Sequence, residues 1–193
     1  MPYDGSGARP SAPTDSSTRA RAPEIDKCKL SENTSFEQMH KNKKEGTVLL
    51  IGDSLTRGLG NHLKSQHNMF DSLAFGGARI EDINKKVEEL KDNECHIVLM
   101  VGTNNLKSDG TTMIMSKYKD QVNQLKAKRF KRTSIVEILA RNDLSNYMNS
   151  KRIAMNIQLK EFCMKNDIDF LEVVMDTDAM LDRCGLHLIS LAR

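Results

Sequence analysis

The sequence has 193 residues, of which 38% are hydrophobic and 28% are charged, and its formal net charge is +3. This length suits one domain with a substantial hydrophobic core. The charge is too small to indicate nucleic-acid binding by itself, and no stretch reaches the roughly 18 apolar residues of a membrane span. The N-terminus lacks the apolar stretch of a secretory signal, so the sequence favours an intracellular, cytoplasmic setting.

The N-terminal part of the chain differs in composition from the remainder. All four prolines lie within the first 23 residues, among Ser, Thr, Gly and Arg, and large apolar residues are few before Val48. Such a segment cannot bury enough apolar surface to offset the entropy lost on ordering. We therefore predict a disordered tail or linker over residues 1–45, with a brief helix over residues 35–44 at most, and one domain over residues 46–193.

From Thr47 onward, short apolar runs alternate with amphipathic stretches, which is typical of strands alternating with helices. The predicted strands are Val48–Ile51, Phe70–Ala74, Ile97–Val101, Ser134–Leu139 and Ile168–Val173. The predicted helices are Ser54–Ser65, Ala78–Lys91, Thr112–Lys128 and Asn149–Asn166, the last with Ile153, Ile157 and Leu159 as its apolar residues. Strands that are apolar throughout are buried on both faces, so the pattern predicts a parallel, doubly wound α/β sheet.

Glycine and polar residues follow the first three predicted strands. The three segments read Gly52-Asp53-Ser54, Gly76-Gly77-Ala78 and Gly102-Thr103-Asn104-Asn105, and Cys184-Gly185-Leu186-His187 comes late in the chain. Ligands of open parallel sheets bind beyond the carboxyl ends of the strands. We therefore expect any functional site to be built from these segments.

These segments carry the residue types that acyl transfer requires. Ser54 at a helix N-terminus could act as a nucleophile with His187 as its general base, while the backbone N–H groups of Ser54 and Gly77 and the Asn104 amide could stabilise an oxyanion. Each residue also has a plain structural interpretation. Ser54 could be a helix cap, Asn104 could satisfy loop backbone groups, the glycines could permit a turn, and His187 could be a surface histidine.

The segments GDSL, GG, GTNN and GLHL, in this order, resemble the conserved blocks of the SGNH (GDSL) hydrolase superfamily, over residues 47 to about 188. The resemblance implies a flavodoxin-like three-layer α/β/α fold with a parallel sheet of about five strands. It also implies an esterase or lipase that acts on a small acyl ester without a metal or organic cofactor. It assigns Ser54 as nucleophile, Gly77 and Asn104 to the oxyanion hole, and His187 as base.

Two features of the sequence depart from the family pattern. The family has an aspartate three residues before the catalytic histidine, where this sequence has Cys184, although Asp182 lies five residues before His187. Family members also continue into a closing helix, whereas this sequence ends at Arg193. We therefore expect a degenerate or truncated copy that hydrolyses esters weakly or not at all. The alternative is a non-catalytic SGNH-like domain that binds lipid, nucleic acid or protein.

Nucleic acid is a possible partner for two further reasons. The stretches GGARIEDI and RNDLSNYMNSKRI are similar in style to the SGNH-type domains of first-open-reading-frame proteins of LINE retroelements. Residues 126–132 form a dense basic run, which Arg141, Lys151 and Arg152 could extend, although such a run is also typical of a solvated helix end. Cys184 and His187 have zinc-ligand spacing, but a second ligand pair is not apparent, so no metal is expected. The sequence does not determine the oligomeric state.

Overall fold

The computed structural model describes residues 46–90, 95–128 and 130–173. The predicted tail over residues 1–45 lies outside the described residues. The same holds for Asp182, Cys184 and His187, so the structure does not place the predicted base.

Strands and helices alternate along the described chain. The strands are β1 (Val48–Gly52), β2 (Phe70–Ala74), β3 (His96–Met100), β4 (Arg132–Val136) and β5 (Asp169–Leu171). The helices are α1 (Ser54–Gln66), α2 (Ile80–Glu89), α3 (Thr103–Leu106), α4 (Thr111–Ala127) and α5 (Asn146–Lys165). The strands and helices predicted from Val48 onward are present; β2 has its predicted bounds and the others have shifted ends. The helix α3 is an additional short element that the sequence pattern did not predict, and the brief helix predicted over residues 35–44 lies outside the described residues.

The described strands form one parallel sheet in the order β2-β1-β3-β4-β5. This confirms the predicted doubly wound, flavodoxin-like α/β architecture. The strand order reverses between β1 and β3, since β2 is added on one side of β1 and the later strands on the other, and such a switch point leaves a crevice at the carboxyl ends of the strands. Gly52 at the end of β1 is in register with Ala74 of β2 and Met100 of β3. The three segments that follow these strands therefore start from one level of the sheet.

The sheet is covered by apolar side chains on both faces. On one face, Leu49 and Ile51 of β1 and Ile97 and Leu99 of β3 belong to a buried cluster with α2, α4 and α5. On the other face, Leu50, Val98 and Met100 are buried with Leu55 of α1, against which Leu59 and Leu63 pack. Burial on both faces explains why these strands show no polar alternation.

Of the three apolar residues named for α5 from the sequence, only one lies in the core. Leu159 is buried, but Ile153 and Ile157 are 49% and 58% exposed. The buried face instead includes Asn156, whose side-chain amide accepts a hydrogen bond from Ile138 N and donates one to Ile138 O. A polar residue that binds loop backbone thus occupies a position that a hydrophobicity pattern assigns to solvent.

Candidate active site

The turn after β1 places a capping residue and a serine side by side at the start of α1. Asp53 has extended backbone angles and is the N-cap of α1, and its Oδ1 accepts a hydrogen bond from Leu55 N at 2.9 Å. This contact gives Asp53 a structural role as the cap of the helix. The interpretation of Ser54 as the helix cap is therefore wrong, since Asp53 already fills that position.

Ser54 is the first residue of α1, a helix of 13 residues. The positive end of the helix dipole stabilises negative charge at this position. Gly52 lets the chain turn closely past β3, because a Cβ at residue 52 would lie 1.9 Å from Met100 O and 2.4 Å from Thr56 Oγ1. The Ser54 side chain is half-buried. The local structure thus presents a serine at a helix N-terminus beside the switch point.

The segment after β2 is a tight turn that contains Gly77. Ala78 N donates to Phe75 O at 3.2 Å, and Gly77 has φ +70°, a conformation that favours glycine. Gly77 is exposed, and a Cβ added there would meet no atom within 4 Å. Gly77 is therefore required by backbone conformation rather than by crowding, and it leaves space above the turn.

Asn104 connects the segment after β3 to this glycine turn. Its Nδ2 donates to Ala78 O at 2.9 Å. Asn104 lies in α3, which begins after Gly102 with φ +119°. A Cβ at Gly102 would lie 2.5 Å from the Tyr118 hydroxyl, which itself donates to Val101 O at 2.6 Å. The structure therefore brings the predicted residues Gly77 and Asn104 together at one edge of the sheet.

Asn105 is a buried polar residue next to Asn104 whose role the sequence analysis missed. Its Oδ1 accepts from Ile80 N at 3.0 Å, and its Nδ2 donates to Glu81 Oε2 at 3.0 Å and to Asp109 Oδ2 at 2.8 Å. The GTNN segment indicated a functional asparagine, but local sequence gave no signal for these partners. Asn105 ties α3 to the first turn of α2.

Asp109 is the centre of an ionic cluster behind the glycine turn. Lys117 Nζ lies 2.7 Å from Asp109 Oδ2, and Arg79 Nη2 donates to Asp109 Oδ1. Burial alone would raise the pKa of Asp109, but the hydrogen bonds from Lys117, Arg79 and Asn105 outweigh it and hold the pKa well below its usual value. Burial lowers the pKa of Lys117, but its own hydrogen bonds to Asp109 and Glu81 outweigh this effect and raise it. The cluster therefore stays ionised near neutral pH.

Glu137 is a second acidic residue at the carboxyl edge that the sequence analysis did not single out. It follows β4, and its carboxylate accepts from Val173 N at 3.0 Å and from Asn156 Nδ2 at 3.2 Å. Together with Asp53 and Thr103 it lines a small gap between the ends of the central strands. These bonds tie the end of β4 to the chain that leaves β5.

Toward the amino ends of the strands, away from Ser54, a serine, a histidine and an aspartate lie close together. Their arrangement differs from that of a catalytic triad. Ser134 Oγ donates to Asp169 Oδ2 at 3.0 Å, and His96 Nε2 lies 2.8 Å from the same Oγ. Burial, followed by the nearby Arg132 charge, lowers the pKa of His96. Because the Ser134 hydroxyl hydrogen goes to the carboxylate, the imidazole does not take it. This cluster satisfies buried polar groups between strands and is not a nucleophile–base pair.

The basic run of the sequence makes internal contacts where it is described. Lys128 Nζ donates to the Glu88 and Leu90 carbonyls at the end of α2, and Lys126 Nζ donates to Asn166 Oδ1. Arg141 makes a two-point contact with Asp143, and Lys151 binds the Leu106 and Asp109 carbonyls. These side chains stabilise helix ends and loops.

Residues 46–90, 95–128 and 130–173 contain neither a metal-ligand cluster nor a helix suited to a membrane. Within these ranges, no group of three or more His, Cys, Asp or Glu side chains is arranged to hold a metal ion. No helix in the same ranges is both long enough and apolar enough to cross a membrane.

Neither a protein-family model nor a curated protein matches the sequence, but solved structures match the fold. A member of the lipolytic protein G-D-S-L family from Veillonella parvula is similar with a TM-score of 0.62 and 17% identity, over 75% of this chain and 90% of that chain. The esterase EstA from Pseudoalteromonas sp., in a structure inhibited by monoethylphosphonate, is similar with a TM-score of 0.55 and 14% identity, over 75% and 88%.

The OSK domain of Drosophila Oskar is similar with a TM-score of 0.51 and 12% identity, over 72% of this chain and 68% of that chain. The chain therefore has the SGNH hydrolase-like fold that the four sequence blocks predicted. At these identities the similarity establishes the fold, and the chemistry has to be argued from the site.

Proposed function

We propose that the protein is a serine hydrolase of the SGNH type that cleaves a small acyl ester. The observation that carries the proposal is the placement of Ser54 at the N-terminus of α1, with Asp53 as the cap, beside the Gly77 and Asn104 segments. A serine that is not needed as a cap is available for chemistry. Its position beyond β1, next to the switch point, is where ligands of this architecture bind.

In the proposed reaction, Ser54 Oγ attacks the ester carbonyl while His187 accepts its proton. The developing oxyanion is stabilised by the N–H groups of Ser54 and Gly77 and by the Asn104 amide. Asn104 Nδ2 donates one hydrogen to Ala78 O and carries a second for the oxyanion. The intermediate collapses to an acyl-Ser54 ester, and the alcohol leaves with the proton from His187. A water deprotonated by His187 then cleaves the acyl-enzyme and regenerates Ser54.

The first prediction is that a fluorophosphonate probe labels the protein at Ser54. Labelling requires a serine activated by a base, and the structural neighbour EstA is described as inhibited by a phosphonate. Ser54→Ala should abolish labelling, which peptide mass spectrometry would locate. Ser134→Ala is the matched control, because that serine is buried and its hydroxyl donates to Asp169. Labelling that persists in Ser54→Ala would contradict the proposal.

The second prediction concerns Cys184, which stands where the family pattern has an aspartate. A thiol does not replace a carboxylate that orients the imidazole, and loss of the corresponding aspartate lowers turnover by about 10⁴ in serine proteases. We therefore expect weak p-nitrophenyl acetate hydrolysis by the wild type and higher turnover in Cys184→Asp, with Ser54→Ala as the inactive control. Robust wild-type turnover that Cys184→Asp leaves unaltered would contradict a weakened triad.

The second candidate function is that of a non-catalytic SGNH-like domain that binds lipid, nucleic acid or protein. Cys184 is the observation that favours it, since a weakened triad leaves the fold available for binding. The nucleic-acid version, including a retroelement origin, has less support because Lys151 and Arg152 bind backbone carbonyls and Arg141 pairs with Asp143. A filter-binding titration with RNA at several salt concentrations tests it. Salt-dependent binding without Ser54 labelling would favour this candidate.

A further inference from the structure

Two consecutive asparagines of α3 hold the backbone on either side of residue 79. Asn104 Nδ2 donates to Ala78 O at 2.9 Å, and Asn105 Oδ1 accepts from Ile80 N at 3.0 Å. We call these two contacts the asparagine clamp. Gly77 directly precedes the clamped segment, so the clamp fixes the Gly77 turn relative to the Asn104 amide.

The orientation of the Asn105 amide is determined by charge. Its Nδ2 donates to the carboxylates of Glu81 and Asp109, which can only accept. This leaves Oδ1 directed at Ile80 N, as the clamp requires. A flipped amide would place its oxygen against two carboxylates and its NH₂ group against a backbone donor. Asp109 and Glu81 therefore select the one orientation of Asn105 that holds Ile80.

Asp109 is itself fixed by cations from neighbouring elements. Lys117 of α4 lies 2.7 Å from both Asp109 and Glu81, and Arg79 donates to Asp109. Lys151 of α5 binds the Asp109 backbone carbonyl and, at 2.8 Å, the Leu106 carbonyl at the end of α3. Asp109 is nearly inaccessible, so these contacts are little screened by solvent. The cluster thus reaches from α4 and α5 to the glycine turn through Asn105.

We infer that Asn105, Asp109 and Lys117 are positioning residues that set the geometry of the oxyanion hole through the asparagine clamp. The inference rests on the proposed function for its catalytic meaning. These residues act through Ala78 and Ile80 and do not touch substrate. A displacement of about 1 Å in such a site can cost about 100-fold in rate. The clamp should therefore affect turnover more than substrate binding.

The test compares Asp109→Asn with Asp169→Asn, a matched control at the opposite edge of the sheet. Both changes remove a carboxylate that is hydrogen-bonded to an arginine and to a serine. Asp109→Asn should lower kcat, or the fluorophosphonate labelling rate, by about 10- to 100-fold with KM within about 3-fold. Asp169→Asn should leave both within about 2-fold of the wild type. Equal effects of the two variants would overturn the inference.

A second readout does not depend on activity. Amide hydrogen exchange at Gly77 and the side-chain NMR signals of Asn104 should change in Asp109→Asn and remain as in the wild type in Asp169→Asn. If the wild type is not labelled at all, the proposed function fails, and these signals still decide whether the clamp exists. Unchanged exchange and unchanged Asn104 signals in Asp109→Asn would overturn the inference.

Lys117 provides a further pair of variants in case Asp109→Asn does not fold. Lys117→Met removes the charge that bridges Glu81 and Asp109, whereas Lys117→Arg keeps it. We expect Lys117→Met to show the same change in Gly77 amide exchange and the same loss of kcat as Asp109→Asn. Lys117→Arg should keep most of the wild-type exchange and most of the wild-type kcat. A Lys117→Met protein with wild-type Gly77 exchange would overturn it.

Discussion

Asp53 and Ser54 are neighbours in sequence, but their side chains have different surroundings. Asp53 is buried and its carboxylate accepts from Leu55 N, whereas Ser54 occupies the first helical position and is half-buried. A carboxylate at an N-cap satisfies an otherwise unpaired N–H and interacts favourably with the helix dipole. The stability of α1 therefore depends on Asp53, whereas the chemistry proposed for the protein depends on Ser54.

The third prediction follows from this separation. Asp53→Ala should lower the free energy of unfolding by about 1 kcal/mol or more, because it removes the N-cap. Ser54→Ala should change it by less than about 0.5 kcal/mol, since residue 54 is not the cap and alanine is a good helix former. Urea unfolding followed by circular dichroism measures both. A larger loss in Ser54→Ala than in Asp53→Ala would show that the serine is the cap.

At the scale of the element, α5 shows which side of a helix packs on the sheet. Its buried residues are Met155, Asn156, Leu159 and Cys163, all on one side of the helix. Ile153 and Ile157 lie outside this face and are exposed. The buried side is selected by the hydrogen bonds of Asn156 to Ile138 as well as by apolar contact.

The fourth prediction compares two apolar residues of α5. Leu159→Ala should lower the free energy of unfolding by about 2–5 kcal/mol, because it leaves a cavity in the core. Ile157→Ala should change it by less than about 0.5 kcal/mol, since the side chain is largely exposed. Urea unfolding midpoints would give both values. Similar losses in the two variants would show that Ile157 is covered in solution.

At the scale of the whole molecule, carboxylates paired with basic side chains lie near both the amino ends and the carboxyl ends of the strands. The Arg132 hydrogen bond lowers the pKa of Asp169 despite burial. Burial raises the pKa of Asp143, but the hydrogen bonds from Lys107 and Arg141 outweigh burial, and the pKa is lowered. Asp109 behaves in the same way at the carboxyl edge. The folded protein therefore binds fewer protons at acidic pH than the unfolded chain.

The fifth prediction is that this difference destabilises the fold in acid. A carboxylate with a lowered folded-state pKa contributes fully above its unfolded pKa of about 4, and the contribution is lost as pH falls below that value. The urea midpoint should therefore begin to fall below about pH 6.5, because the lowered pKa of His96 keeps its imidazole neutral in the folded protein, and should fall more steeply below about pH 4. Asp169→Asn should flatten that fall, and so should Asp109→Asn. A midpoint that is the same at pH 3 and pH 7 would contradict it.

The fold was largely predictable because its signals are local. Each strand is a short apolar run, each helix has its own periodicity, and burial on both faces follows from the missing polar alternation. The segments at the strand ends were also visible, since glycine turns need particular backbone angles at Gly77 and Gly102. The short helix α3 was missed because four residues give no period to detect.

The sequence by itself determined the order of strands and helices, the parallel sheet and the blocks that contain Ser54, Gly77 and Asn104, because these depend on residues close together in the chain. Only the tertiary structure decided that Asp53 caps α1, that Asn156 faces the sheet, and that Asn105, Asp109 and Lys117 form one cluster with Arg79. Arg79 and Asp109 are separated by 30 positions in the chain. Their attraction acts through space once the sheet has brought α2, α3 and α4 together, and spacing along the sequence does not encode it.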